Sequence, residues 1–260
     1  MTDALITERD DRGIATLTLN RPNKHNALNT ELIDALVEYF EEFYEKPNAR
    51  VVIITGAGKS FCSGADLNEM LSMSKVSEDE NRQDAIRLAS LMNTLYSLPV
   101  PTIARINGPA FGGGLGILAC CDFAIATDNA YFAFTELRLG LLPAIIAPYI
   151  INAIGMRAAK QYFLCASRIS AKQAYYAGLI THLVDQDSLD TAVMECINSL
   201  VLSGPEAINE CKRFIDHLVP IDADTIQHTA DLIARLRVSP EGQEGISAFV
   251  EKRRPRWQAQ

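Results

Sequence analysis

The stretch Thr102-Ile103-Ala104-Arg105-Ile106-Asn107-Gly108-Pro109-Ala110-Phe111-Gly112-Gly113-Gly114-Leu115-Gly116 decides the fold class. Its first five residues read as an apolar strand, and a helix-compatible stretch follows the glycines to about Cys121. Three successive glycines let the chain turn without Cβ obstruction, and the first N–H groups of the next helix have no intrahelical partner. A backbone-donor site is expected there. Phosphate, carboxylate or a transient enolate oxygen would each suit it, so the neighbouring residues must name the chemistry.

Working outward, the same strand–loop–helix rhythm recurs. Ile14 to Leu19 alternates as a half-buried strand and ends at Arg21-Pro22-Asn23. Asn29 or Thr30 can cap a helix whose Leu32, Ile33, Leu36, Val37, Phe40 and Phe43 share one face. Val51 to Thr55 is a continuous β-branched run, as in a parallel strand covered on both sides. A polar segment from Ser72 to Glu80, a helix from about Arg82 to Ser97, and strands at Thr102 to Ile106 and Phe123 to Ala126 complete an α/β core. From Met156 onward helices dominate: Met156 to Cys165, Ala171 to Ala177 between a Ser170 cap and Gly178, Leu189 to Val201, Pro205 to Leu218, and two more.

The 260 residues, 48% hydrophobic and 22% charged, suffice for one substantial core. No apolar run is long enough to span a bilayer, and the N-terminus resembles neither a signal nor a transit peptide, so a cytoplasmic protein with no membrane partner is expected. A net charge of −8 argues against a nucleic-acid partner. Lys252-Arg253-Arg254-Pro255-Arg256 is locally basic, as a contact for a phosphorylated ligand or as a solvated helix end. Six cysteines lack metal-ligand spacing with the four histidines, so buried reduced thiols are expected and a metal is not.

Several chemistries fail on spacing. Gly58-Lys59-Ser60 has Ile53 where a phosphate-binding loop needs glycine, Gly108-Pro109-Ala110 breaks a dinucleotide fingerprint, and no serine-nucleophile elbow accompanies the histidines. A second donor loop, Ser63-Gly64-Ala65-Asp66-Leu67, also joins a strand to a helix. Paired with the glycine turn it could clamp one oxygen at a sheet edge; alternatively both are simply tight turns. Glu136, among Leu137, Leu139, Leu141 and Leu142, reads either as a desolvated proton-transfer carboxyl or as a turn glutamate paired with Arg138.

Together, Asn20-Arg21-Pro22, Asn26-Ala27-Leu28, Phe61-Cys62-Ser63-Gly64-Ala65-Asp66-Leu67, Asn107 through Gly114, and Thr135-Glu136-Leu137-Arg138-Leu139-Gly140 resemble the enoyl-CoA hydratase/isomerase (crotonase) superfamily over nearly the whole chain. The ending Ala248-Phe249-Val250-Glu251-Lys252-Arg253 resembles it too. The resemblance implies a ββα superhelix core over residues 1–195, a helical C-terminal trimerisation region over 196–260, and a homotrimer or dimer of trimers. It assigns the N–H groups of Ala65 and Gly113 to an oxyanion hole for an acyl-CoA thioester. It also places Asn23, Lys24, His25, Asp66, Leu67, Asn68, Phe249 and Lys252 around CoA, which is part of the substrate and not a separate cofactor.

One departure stands out. Two-glutamate hydratases of this superfamily have a second carboxylate where this chain has Gly116, while Glu136 matches the other. A single carboxylate suits a Δ3,Δ2-enoyl-CoA isomerase, a one-glutamate hydratase, or a catalytically silent acyl-CoA-binding member. The segment from Glu136 to Tyr149 resembles bacterial methylglutaconyl-CoA hydratases, which favours hydration of a 2-enoyl-CoA, with 3-methylglutaconyl-CoA a candidate. Arg138 would then anchor a distal carboxylate, or else form a surface or intersubunit ion pair. The polar, Ser- and Met-rich stretch Met70 to Asn81 reads as a mobile rim of the acyl pocket or as a flexible surface loop, with the rim preferred.

Overall fold

The computed structural model describes residues 3–73, 75–216 and 240–258, without the side chains of 216, 243, 246, 247, 249, 250 and 258. Its main sheet has six strands: β1 (Leu5–Arg9), β2 (Ile14–Leu19), β3 (Val51–Gly56), β4 (Thr102–Ile106), then β6 (Phe123–Thr127) and β9 (His182–Val184). The β1–β2 pair is antiparallel and every later pairing is parallel. A small second sheet joins β5 (Ala110–Phe111), β7 (Tyr131–Ala133) and β8 (Ile169–Ser170).

The apolar run of β3 is explained by cover on both faces. Val52 and Ile54 enter the large core with α1 (Thr30–Glu45), α3 (Glu78–Tyr96), α4 (Gly113–Cys120) and α5 (Ala147–Cys165). Val51 and Ile53 face the other way, with Ile14, Ile103 and Ile125, onto Leu189, Val193 and Ile197 of α7 (Leu189–Val201). Full burial of each such side chain stabilises the fold by about 1.5–3 kcal/mol.

Local chemistry fixes most element ends. The Asn29 side chain accepts the Leu32 N–H to cap α1. Helix α3 begins at Glu78, four residues before the start expected from the apolar pattern, because Ser77 and Glu80 form a reciprocal capping box. The helix read as Met156 to Cys165 is the second half of α5, which is interrupted at Gly155 by non-helical angles (φ 72°, ψ 161°). Strands do not stop at Met156: β8 and β9 follow, and β9 is held beside β6 with Thr181 N–H donating to Ala124 C=O at 2.7 Å. The capping box of Ser170 with Gln173 and the left-handed Gly178 bound α6 (Ala171–Ala177) as expected.

Helix α8 (Pro205–Asp216) and the C-terminal helix Pro240–Val250 finish the described chain; the remainder of the expected Pro205 to Leu218 helix, and the segment after it, lie outside the described residues. Glu241 caps α8 by accepting from Ala207 N–H at 2.7 Å and Glu206 N–H at 3.0 Å. The basic cluster is partly folded back. Arg253 holds Glu244 through two hydrogen bonds and Glu251 through a third, and these guanidinium bonds pull the Glu244 carboxyl down to about 2. All six cysteines are free, but only Cys62 and Cys120 are buried, whereas Cys165 and Cys211 are exposed, contrary to the expectation of uniformly buried thiols. No helix among the described residues is long and apolar enough to cross a membrane.

Candidate active site

Short parallel pairings bring four distant segments together beyond the ends of β3 and β4. Leu28 bridges Ala65, Cys62 bridges Ala110, and Ala110–Phe111 pairs with Phe132–Ala133. Through these, Leu28 N–H donates to Gly64 C=O at 2.7 Å, Asp66 N–H to Leu28 C=O at 2.9 Å, and Phe111 N–H to Cys62 C=O at 2.9 Å. Both donor loops and the segment leading to Glu136 therefore share one ladder.

That ladder leaves two donors unused. The N–H groups of Ala65 and Gly113 donate to no acceptor among the described residues, although their neighbours Asp66 and Gly112 do. Gly113 is the first residue of α4, so its N–H is an orphan by position, and the helix dipole adds partial positive charge there. The two loops abut at Gly64. With φ +84°, this residue would place a Cβ 3.3 Å from Gly113 N and 2.8 Å from Phe111 O, so any side chain would fill the space before the donors. The two loops that the sequence paired thus stand side by side, with both N–H groups free among the described residues.

Glu136 opens a 3₁₀ turn, Glu136–Leu139, directly after β7. Its carboxyl lies over the glycine turn: a Cβ on Gly112 would stand 3.1 Å from Oε1. Oε2 is buried and accepts no hydrogen bond among the described residues. Burial pushes this carboxyl above the ordinary glutamate value, and the backbone N–H groups of Glu136 itself and Thr135 offset only part of the rise. The alternative of an exposed turn glutamate paired with Arg138 does not hold. Arg138 is exposed and is not part of the cavity wall.

The cavity in front of these groups holds about 470 Å³. Leu28, Ile33, Met70, Met73, Leu88 and Ile146 supply much of its apolar wall, and of the Met70-to-Asn81 stretch Met70, Met73 and Asn81 line it. Leu139, Leu141 and Leu142 also line it but are more than half exposed, marking the mouth and not a closed core.

The position of the missing second carboxylate is packed. Any Cβ on Gly116 would collide with Ile146 Cγ2 and stand 3.1 Å from both Ile146 Cβ and Met92 Cε. Gly116→Glu is therefore expected to overpack the core and lower stability by about 1–3 kcal/mol without raising activity, as denaturant melts and rate assays of the purified variant would show.

The segment expected around CoA is only partly assembled. Ser63 N–H donates to His25 C=O at 3.0 Å, which sets the exposed Asn23, Lys24 and His25 beside the first donor loop. His25 and Asn26 both have positive φ, and His25 Nδ1 is 2.9 Å from Ser60 Oγ. Leu67 and Asn68 are exposed at the start of α2 (Leu67–Met73). Asp66 instead turns inward. Burial alone would raise its carboxyl, but Arg21 at 2.9 Å and the Asn68 N–H hold it below the usual carboxylate value. Lys252 is exposed with φ +54°, and the hydrogen bonds near it run to the C-terminal end of α7: Trp257 donates to Leu202 C=O, and Arg50 links Trp257 C=O to Val201 C=O. The side chain of Phe249 lies outside the described residues.

Sequence patterns did not reveal the framework behind the donors. Asn26 is fully buried and donates to the carbonyls of Ala57, Ser60 and Phe61 while accepting from Arg21 N–H. With the Arg21–Asp66 pair, it ties the Pro22–Lys24 turn to the loop that presents Ala65. The signal available in the sequence was the family motif over Asn20-Arg21-Pro22 and Asn26-Ala27-Leu28, which did not name these partners.

Comparisons agree with this geometry. A family model described as Enoyl-CoA hydratase/isomerase matches residues 9–260. The short-chain-enoyl-CoA hydratase of Clostridium acetobutylicum is 32% identical, over 96% of this chain and 95% of its own length. The solved structure of an enoyl-CoA hydratase from Shewanella pealeana is 39% identical with a TM-score of 0.94, covering 98% of this chain and 96% of that one. An enoyl-CoA hydratase structure from Mycobacterium smegmatis is 32% identical with a TM-score of 0.92, covering 99% and 100%.

Proposed function

The chain belongs to the enoyl-CoA hydratase/isomerase (crotonase) family, and from that premise we propose that it adds water reversibly across the C2=C3 bond of a 2-enoyl-CoA, as a hydro-lyase with one catalytic carboxylate. The observation that carries this reading is the juxtaposition of two unused backbone donors, at Ala65 and Gly113, with the buried, partnerless Oε2 of Glu136.

In this scheme the thioester carbonyl oxygen accepts from both N–H groups. The Glu136 carboxylate takes a proton from water as the water oxygen bonds to C3, and the π electrons pass to the thioester oxygen as an enolate. Preorganised donors hold that charge without reorganising. The protonated Glu136 then gives its proton to C2 on the same face, the carbonyl re-forms, and the carboxylate is restored. A carboxyl raised above its ordinary value is, as the carboxylate, a stronger base toward water in the first step, and once protonated it holds the proton that the second step delivers to C2.

Asn23, Lys24, His25, Leu67 and Asn68 are proposed to meet CoA, with Lys252 and Phe249 joining from the C-terminal segment. Asp66 acts behind them, by holding the Ala65 loop. The division into a 1–195 core and a 196–260 oligomerisation region is likewise proposed, with a trimer or dimer of trimers as the assembly; exposed Leu202 and Ile215 near the ends of α7 and α8 support it. An acyl group with a distal carboxylate, as in 3-methylglutaconyl-CoA, draws little support, since its candidate anchor Arg138 is off the cavity wall.

The packed Gly116 favours one second reading, in which Glu136 alone carries a proton from C2 to C4 of a 3-enoyl-CoA. The conjugated enoyl-thioester absorbance separates the two. It should fall on adding enzyme to crotonyl-CoA; a rise with 3-hexenoyl-CoA and no fall with crotonyl-CoA would make the protein an isomerase. No change with either would make it an acyl-CoA-binding protein.

A further inference from the structure

The described wall of the cavity contains ionisable groups of one sign only. Asp66, Glu69, Asp84 and Glu136 line it, and no Lys, Arg or His does. Glu136 is assigned to proton transfer and Asp66 is neutralised by Arg21. Glu69 is engaged by Thr30, whose N–H donates to its carboxylate at 2.9 Å and whose hydroxyl donates at 3.2 Å. Asp84 differs: it is half-buried and makes no hydrogen bond or ion pair among the described residues. It is presented by α3 on the face that carries Asn81, Ala85 and Leu88, at helical spacing along the cavity.

We infer that this wall selects the acyl group by charge: Asp84, together with Glu69 on the same cavity wall, excludes acyl chains that end in a carboxylate. The inference rests on the acyl-CoA reading of the site and deepens it. Apolar side chains supply contact area that any aliphatic tail can use, whereas an anionic tail would meet like charge in a partly desolvated space, with no described cation to offset it. Rejection by like charge is a source of specificity that favourable contacts to the preferred substrate do not supply.

The test is direct binding of hexanoyl-CoA and adipoyl-CoA, equal in chain length and differing in the terminal group, by titration calorimetry on the full chain, with crotonyl-CoA turnover measured alongside. Hexanoyl-CoA should bind at least about tenfold tighter, a free-energy gap of about 1.4 kcal/mol. Asp84→Asn should narrow that ratio severalfold, Asp84→Lys should abolish or invert it, and added salt should narrow it in the wild type. A wild-type ratio below tenfold, or one that neither variant nor salt moves, overturns the inference. Because the ratio is read from binding, absence of crotonyl-CoA turnover would sink the hydratase reading while leaving the charge-selection result to stand or fall by itself.

Discussion

Glu136→Gln is expected to lower kcat/KM for crotonyl-CoA hydration by about 10²–10⁴-fold, the usual worth of a positioned acid–base group. Glutamine keeps the size and shape of the side chain but can neither take the proton from water nor return it to C2. The carboxylate is the active form for the first step, so wild-type kcat/KM should fall as pH drops through the Glu136 pKa. Burial places that limb above the ordinary glutamate range. The residual rate of the variant should lack this limb. Stability should move the other way. A carboxyl whose pKa is raised on folding binds more protons in the native state between its unfolded and folded values, so it costs stability that grows as pH rises through that window and persists above it. Glu136→Gln removes this cost, and its melting temperature at neutral pH should equal or exceed that of the wild type. Loss of activity with a lowered melting temperature would instead mark Glu136 as structural.

Gly113→Pro should cost about 10²–10³-fold in kcat, comparable to losing one oxyanion donor elsewhere. Proline is tolerated at the first position of a helix, where its missing N–H breaks no intrahelical bond, so α4 should still form. Steric effects are separated by Gly113→Ala, which keeps the N–H. Its Cβ would meet only Leu28 Cδ1 at 3.0 Å and Gly64 Cα at 3.9 Å, contacts that a small shift of the leucine relieves. The alanine variant should therefore retain most activity. If alanine and proline were equally damaging by rate assay, with both variants folded by circular dichroism, packing against Leu28 would explain the glycine and the donor role would fail.

Local sequence made the donor turns legible because their chemistry is local. Gly112 before an apolar helix, and Gly64 in its strand-to-helix loop, take backbone conformations that other residues rarely adopt. Glu136 was legible as a candidate from its apolar neighbours, though its carboxyl sits over the glycine turn while Leu139, Leu141 and Leu142 remain more than half exposed at the open mouth. What sequence did not show depends on contacts between distant segments. The filling of the Gly116 position by Ile146 joins residues thirty positions apart, and the Arg21–Asp66 pair joins forty-five. Likewise β9 is three residues long, too short for a period-2 pattern, and exists because β6 offers it a parallel partner. The start of α3 at Glu78 was local but polar, so a search for apolar periodicity passed over the Ser77–Glu80 capping box.

At the centre of the mechanism, Glu136 takes a proton from the water whose oxygen bonds to C3 and returns that proton to C2. The measurement that tests it most directly is crotonyl-CoA turnover in ¹⁸O-water, followed by mass spectrometry of the product, for wild type and Glu136→Gln. The account predicts a 3-hydroxyacyl-CoA carrying one ¹⁸O, formed by the wild type and reduced at least a hundredfold in the variant. Absence of labelled product from the wild type, or its undiminished formation by Glu136→Gln, would contradict it.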